Sequence, residues 1–430
     1  MLSGFNNLIK HHILSNRIFS SLESRKYRFY FVGQGISLIG SWMQTIAMGW
    51  LVYRLTGSVF LLGFVGFTNQ IPSFILSPFA GVITDRFSRQ KIMLWAQIIF
   101  MLQALAISLL VLTDHIAIWH IILLSLLFGI TSAFDAPARQ ALVVDLIDDP
   151  KNLGNAIALN SALFNGARLV GPAIAGIVIA LVGEGICFMI NALSYLAIIY
   201  VLYSGIPVKM ENHNPKNSIW QELTDGFRYT FRFKPIRTLL VMLAILSLFG
   251  TPFTTLMPAF ASEILKGGSH VYGFLMSATG AGAFVGAIYL ASRKSVLGLG
   301  KIIRYNSYLF GIALLGIAFS NYLWLAMLVA FAAGFSIISA IASINTLIQT
   351  LANEDMRGRV MSFYAMALMG MSPIGNFLAG SVASGIGISY TFVMCGLITI
   401  LSAGWFTIYR PRLRNSVYKI YMEKGFKSKN

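Results

Sequence analysis

The chain has 430 residues, of which 57% are hydrophobic and only 11% charged, against roughly a quarter charged in soluble globular proteins. With a mean hydropathy of +0.73 it lacks the polar surface that a soluble fold of this length needs. That excludes a soluble enzyme, a nucleic-acid-binding domain and a secreted scaffold; two cysteines, Cys187 and Cys395, supply neither a disulfide framework nor a metal cluster.

Apolar runs of twenty residues or more predict membrane-spanning helices rather than the alternating strands of a barrel. Twelve occur in chain order, over 29–54, 59–84, 90–113, 117–139, 154–183, 185–206, 237–264, 271–292, 300–320, 322–351, 357–386 and 388–410. The basic first 28 residues show no apolar core followed by a cleavage site, so span 1 is expected to be retained. If both termini are cytoplasmic, all of the 32 lysines and arginines except Arg54, Lys266 and Arg168 fall on the inner side. This is the positive-inside asymmetry. It accounts for the net charge of +17 through topology and attraction to anionic lipid.

These runs divide the chain into a cytoplasmic segment 1–28, a six-helix half 29–206, a linker 207–236, a second six-helix half 237–410 and a basic cytoplasmic tail 411–430. In the linker, Trp220, Leu223, Phe227 and Phe231 recur at helical spacing, with charges on other faces. They predict an amphipathic helix at the cytoplasmic interface, acting as a tether. A shift of 204 residues superposes Gly154 on Gly358, Gly166 on Gly370, Gly171 on Gly375 and Gly176 on Gly380. Spans 5–6 therefore resemble spans 11–12. The two halves run the same way, about an axis along the membrane normal.

Between spans 2 and 3 lies GVITDRFSRQK, with Gly81, Asp85, Arg86 and Arg89. Asp85 is suited to cap the start of span 3, and Arg89 follows it at the spacing of a helical ion pair. Span 4 ends FDAPARQALVVDLIDD, where Asp135 precedes Arg139 by four residues at the inner end; span 5 reads NAIALNSALFNGARLVGPAIAG. Its Gly166, Gly171, Pro172 and Gly176 permit close helix approach and a bend.

The first stretch resembles the signature loop of the major facilitator superfamily, G-x-L-A-D-R-x-G-R-K, with Ser88 and Gln90 as departures. The other two resemble its enterobactin-exporter-like and macrolide-efflux-like branch. The resemblance runs from about Arg28 to Arg410. It implies an all-α membrane protein of two pseudo-symmetric six-helix halves, a gate at Gly81, Asp85, Arg86 and Arg89, and an antiporter-type pivot in span 5. It also implies a central cavity lined by spans 1, 4, 7 and 10, which makes Gln44, Phe128, Ser132, Phe253 and Ser339 cavity candidates.

Arg168 is the one charge the spans place near mid-membrane, where a cation needs a partner or a cavity. It is read either as an anion-attracting group or as a structural arginine. No G-x-x-x-x-G-K-[ST] loop, G-x-S-x-G elbow or metal-ligand cluster occurs. The expectation is a non-enzymatic monomer without cofactor or metal in a bacterial cytoplasmic membrane. It would export a small molecule by alternating access, with protons as coupling ion. A siderophore or other anionic, oxygen-rich metabolite is favoured. Multidrug or macrolide efflux, lysophospholipid movement and a non-transporting sensor are the alternatives.

Overall fold

Hydrocarbon offers backbone N–H and C=O groups no water, so a chain that crosses it must close its hydrogen bonds within helices or a closed barrel. A computed structural model describes residues 17–147, 149–204, 227–293 and 295–423. Among these residues every regular element is a helix. Four come first: α1 (Arg25–Thr56), α2 (Val59–Arg86), α3 (Arg89–Leu112) and α4 (Ile118–Asp145). One continuous helix, Leu153–Tyr203, then holds both α5 (153–182) and α6 (184–203). Gly183 divides them with φ of 85°, a backbone conformation that a Cβ disfavours. The second series comprises α7 (Lys234–Ile245, Leu246–Gly250 and Phe253–Glu263), α8 (Ser269–Ala291), α9 (Leu299–Ala318), α10 (Leu323–Leu351), α11 (Arg357–Ala365, Met366–Gly370 and Met371–Ile386) and α12 (Ile388–Glu423). The twelve membrane helices read from hydropathy are therefore present among the described residues.

Helix boundaries correct two local expectations. The sequence closes span 4 at residue 139, but α4 continues to Asp145. Asp135 thus lies about 15 Å inside that end of the helix at ~1.5 Å per residue. The loop after α2 is the second case. α2 ends at Arg86 and α3 begins at Arg89, with Ser88 as N-cap, its hydroxyl accepting from the Lys91 N–H. Asp85 therefore does not share a helix with Arg89, because the chain leaves helical geometry at 87–88. The side chains of Gly81, Asp85 and Arg86 lie outside the described residues.

Contacts divide the chain into two units, Met1–Met48 with Ile75–Asn214, and Gly49–Phe74 with Pro215–Asn430. In the first, α3 packs on α6 through Ala96, Phe100, Ala104, Ala192 and Tyr195. In the second, α8 crosses α10 backbone to backbone, Gly282 lying against the Phe331 carbonyl and Gly334 against that of Thr279. The stretch Gly49–Phe74, from within the segment read as the first half, packs in this unit. Gly63 meets the backbone of Gly380, the Phe60 and Phe67 rings lie 5.9 and 5.7 Å from Phe377, and the Tyr53 hydroxyl donates to Glu263 over 2.5 Å.

Of the glycine pairs matched by the 204-residue shift, Gly171 and Gly375 make like contacts, whereas Gly166 meets nothing within 4 Å and its match Gly370 lies against the Phe74 ring. Gly171 of α5 lies on α1, where an added Cβ would sit 2.6 Å from that of Trp42 and 3.1 Å from the Ile39 carbonyl. Gly375 of α11 lies in the same way on Leu248 and Pro252 of α7. Of the linker helix, Trp220 and Leu223 fall outside the described residues. Residues 227–232 are helical, with Phe227 and Phe231 packed 6.0 and 6.3 Å from Phe363.

Close crossings predict where a methyl group is tolerated. Gly282→Val would drive a branched side chain into a carbonyl and should lower the detergent melting temperature by the equivalent of about 1–3 kcal/mol. At Gly166 nothing lies within 4 Å of an added Cβ. Gly166→Ala should melt at or slightly above the parent temperature, since alanine favours the helix by roughly 0.5–1 kcal/mol.

Candidate functional site

Within the first unit, one face of α1 and one face of α4 look into a common cleft. Gln34, Ser37, Leu38, Ser41, Trp42 and Thr45 recur on α1 at steps of three and four, as do Phe128, Ser132, Asp135, Ala136 and Arg139 on α4. Steps of that size place side chains on one helix face. Gln97 and Phe100 of α3, Phe164 of α5 and Tyr195 of α6 complete the lining, around a cavity of about 180 Å³.

The walls are of two kinds. Trp42, Phe100, Phe128, Phe164 and Tyr195 form an aromatic side, with Phe100 and Phe128 4.8 Å apart and Trp42 edge-on to Phe164 at 5.8 Å. Opposite them runs a polar chain. The Ser37 hydroxyl donates to Gln97 Oε1 over 3.4 Å, and Gln97 Nε2 donates to Asp135 Oδ1 over 2.8 Å. Asp135 Oδ2 faces Arg139 Nε at 3.5 Å. Ser41 and the Tyr195 hydroxyl share a bond of 3.1 Å. Asp135 is 6% exposed, so its carboxylate depends on these partners for the solvation that water would otherwise give.

Two polar groups lining the cleft retain unused capacity. The Arg139 contact uses Nε alone; neither Nη atom makes a hydrogen bond among the described residues. Gln34 Oε1 is buried with no partner among the described residues. Arg139 can therefore offer donors, and Gln34 an acceptor, to a molecule in the cleft.

The structure distributes the predicted site residues unevenly. Phe128, Ser132, Asp135 and Arg139 come together in the cleft. Gln44 is buried deeper, accepting from Asn191 at 2.6 Å and donating to Gln103 at 2.9 Å. Arg168 is not part of the lining. It lies against Trp42 with its guanidinium carbon 5.5 Å from the ring centroid, and among the described residues it makes no ion pair. Phe253 is 3% exposed and edge-on to Phe310, and Ser339 is wholly buried where α10 meets Gly286 of α8. Neither is part of the cleft lining in the first unit. In α5, Gly171 and Pro172 are buried against neighbours, whereas Gly166 meets nothing. Sequence reasoning missed Gln97 and Tyr195. Each lies on a helix with other polar residues, Gln103 on α3 and Asn191 on α6, so polarity alone did not single it out.

At the end of the bundle where α2 turns into α3, Arg89 Nη1 donates to both carboxylate oxygens of Asp145, at 2.9 and 3.0 Å. The side chains are 27% and 16% exposed, so the pair is partly screened but geometrically strong. A double-mutant cycle of Arg89→Gln and Asp145→Asn should give non-additive losses in thermal stability, with a coupling of about 1 kcal/mol. Additive losses would mean the two side chains act independently.

A family model described as "Transmembrane secretion effector", within the major facilitator superfamily, matches residues 17–421. The staphyloferrin A transporter of Staphylococcus aureus is 28% identical over 87% of this chain and 93% of its own. The multidrug efflux pump Tap of Mycolicibacterium fortuitum is 25% identical over 87% and 93%, and the macrolide efflux protein A of Streptococcus pyogenes 22% over 88% and 95%. Among solved structures, a POT family transporter in complex with a thioalcohol-conjugated peptide aligns with a TM-score of 0.74 at 12% identity. That alignment covers 90% of this chain and 96% of that one, a likeness of fold alone.

Proposed function

The chain belongs to the transmembrane secretion effector family of the major facilitator superfamily, in the branch of siderophore and macrolide efflux transporters, and from that premise we propose that it exports an anionic, oxygen-rich metabolite of the siderophore class from a bacterial cytoplasm. One observation carries the choice of cargo: Arg139, whose only protein contact among the described residues is Nε to Asp135, lies in a cleft whose remaining lining supplies hydroxyl, amide and aromatic groups. A guanidinium offers carboxylate or catecholate oxygens a planar fork. The aromatic wall takes the apolar part of such a molecule. Arg168 adds a second positive charge behind Trp42, and low dielectric extends its reach.

The remaining parts of this reading are a location and a cycle. Both termini lie in the cytoplasm of a bacterial inner membrane, supported by the distribution of lysine and arginine. The transporter works as a monomer, rocking two halves about a central substrate. The loop from Gly81 through Asp85 and Arg86 to Arg89 gates the inner side, supported by the Arg89–Asp145 pair that fastens its end to α4.

Flux into proteoliposomes tests the cargo. Staphyloferrin A, supplied on the inner side, should move, and a macrolide should not. Arg168→Gln should lower flux of the siderophore more than flux of a neutral compound. A macrolide moving faster than the siderophore would overturn the assignment. The gate is tested separately: Asp85→Asn should cut flux severalfold while the amount of protein in the membrane stays at the parent level. Unchanged flux would leave the loop a plain connection.

A further inference from the structure

We infer that Asp135 is a built-in counter-anion that occupies Arg139 while the cleft is empty and is displaced by the carboxylate of a bound substrate, taking up a proton as it yields. This rests on the proposed export of an anion and adds to it a site and a sign of proton linkage. The geometry is that of an exchangeable pair. Asp135 holds Arg139 through a single contact of 3.5 Å to Nε, with both Nη atoms left over, whereas in the pair that fastens the loop after α2, Arg89 Nη1 donates to both Asp145 oxygens at 2.9 and 3.0 Å. The carboxylate is anchored on its other side by Gln97. It is 6% exposed, and it lies about 15 Å from the helix end on a continuous helix in which Pro137, between the two partners, donates no backbone N–H.

Among the described residues the charges around Asp135 are few. From its own helix, Arg139 faces it. Tyr30 of α1 and Tyr195 of α6 lie within electrostatic range of both. α3 contributes only the neutral amide of Gln97, and α5 only Phe164. No second acid among them shares the load. A carboxylate arriving on the Arg139 fork therefore puts two anions beside one cation in a poorly solvated cleft, which favours protonation of the resident one. Anion and proton then bind together, and each tightens the other. A cationic cargo would do the reverse: it would compete with the proton for Asp135. The sign of the linkage thus separates the two cargo charges.

The test uses the purified full-length protein in lipid nanodiscs, with salicylate as an aryl carboxylate probe and salicylamide as its neutral counterpart, both measured by calorimetry. Salicylate should bind more tightly as the solution is acidified from about pH 7.5 to about 5.5, by roughly tenfold, with protons taken up on binding. Asp135→Asn should bind salicylate tightly at every pH, with no proton uptake. Arg139→Gln should lose salicylate but keep salicylamide, which also shows that the variant is folded. Arg139→Lys should restore part of the salicylate affinity. Salicylate binding that is independent of pH, weakens on acidification or survives Arg139→Gln would overturn the inference. Such a result beside intact siderophore flux would leave the exporter reading standing. The expected linkage without any siderophore flux would leave the site standing and remove the exporter reading.

Discussion

Asp135 is taken out of water while Arg139 beside it keeps 23% of its side chain exposed, and the burial of that acid organises the first unit. A carboxylate in a low-dielectric interior costs several kcal/mol, recovered only with a partner and further hydrogen bonds. Gln97 supplies one to Asp135, which fixes α3 against α4. Ser37 supplies the next to Gln97, which brings in α1. Aromatic side chains cover the rest, so α5 and α6 close over the network with Phe164 and Tyr195. A separate neutral network of Gln44, Gln103 and Asn191 ties α1, α3 and α6 at another level. Polar groups thus specify which helices meet, where apolar side chains alone would permit many registers.

Small residues perform the corresponding task between backbones. Membrane helices gain little from hiding apolar surface from one another, because lipid is equally apolar, so close packing has to provide the attraction. Gly171 on α1, Gly375 on α7, Gly282 on α10 and Gly63 on Gly380 are the points where helices come near enough for it. That Gly171 and Gly375 share a role in the two halves is the physical content of the internal repeat.

The twelve helices were legible because hydropathy reports burial in lipid directly, and the repeat was legible because glycine spacing survives where other residues have changed. The candidate site was only partly legible. Asp135 and Arg139 showed the spacing of a helical pair, but a charged residue looks like the end of a span, so the sequence placed them at the membrane edge. α4 runs on to Asp145, so both lie within the helix rather than at its end. The contact of Arg168 with Trp42 joins residues 126 positions apart in sequence, and no local pattern encodes that. Asp85 and Arg89 sat at helical spacing across a break that Ser88 makes. Phe253 and Ser339 lie on helices expected to line a cavity; helix number alone does not say which face a residue occupies.

An acid and a base in contact within one small cleft also bear on how relatives with similar sequences are named for such different cargo. A cleft with a lone cation rejects cations, and one with a lone acid rejects anions. A pair held by one contact can present either member. An incoming anion takes Arg139 and leaves Asp135 to be neutralised by a proton; an incoming cation takes Asp135 and leaves Arg139 toward water. Which outcome is cheaper depends on the surroundings rather than on the pair. Here Asp135 already has Gln97, whereas the Nη atoms of Arg139 have nothing. The unsatisfied member is the base, so the empty cleft is biased toward an anion. Moving one amide from the acid to the base would reverse that bias without altering a helix, a span or the fold.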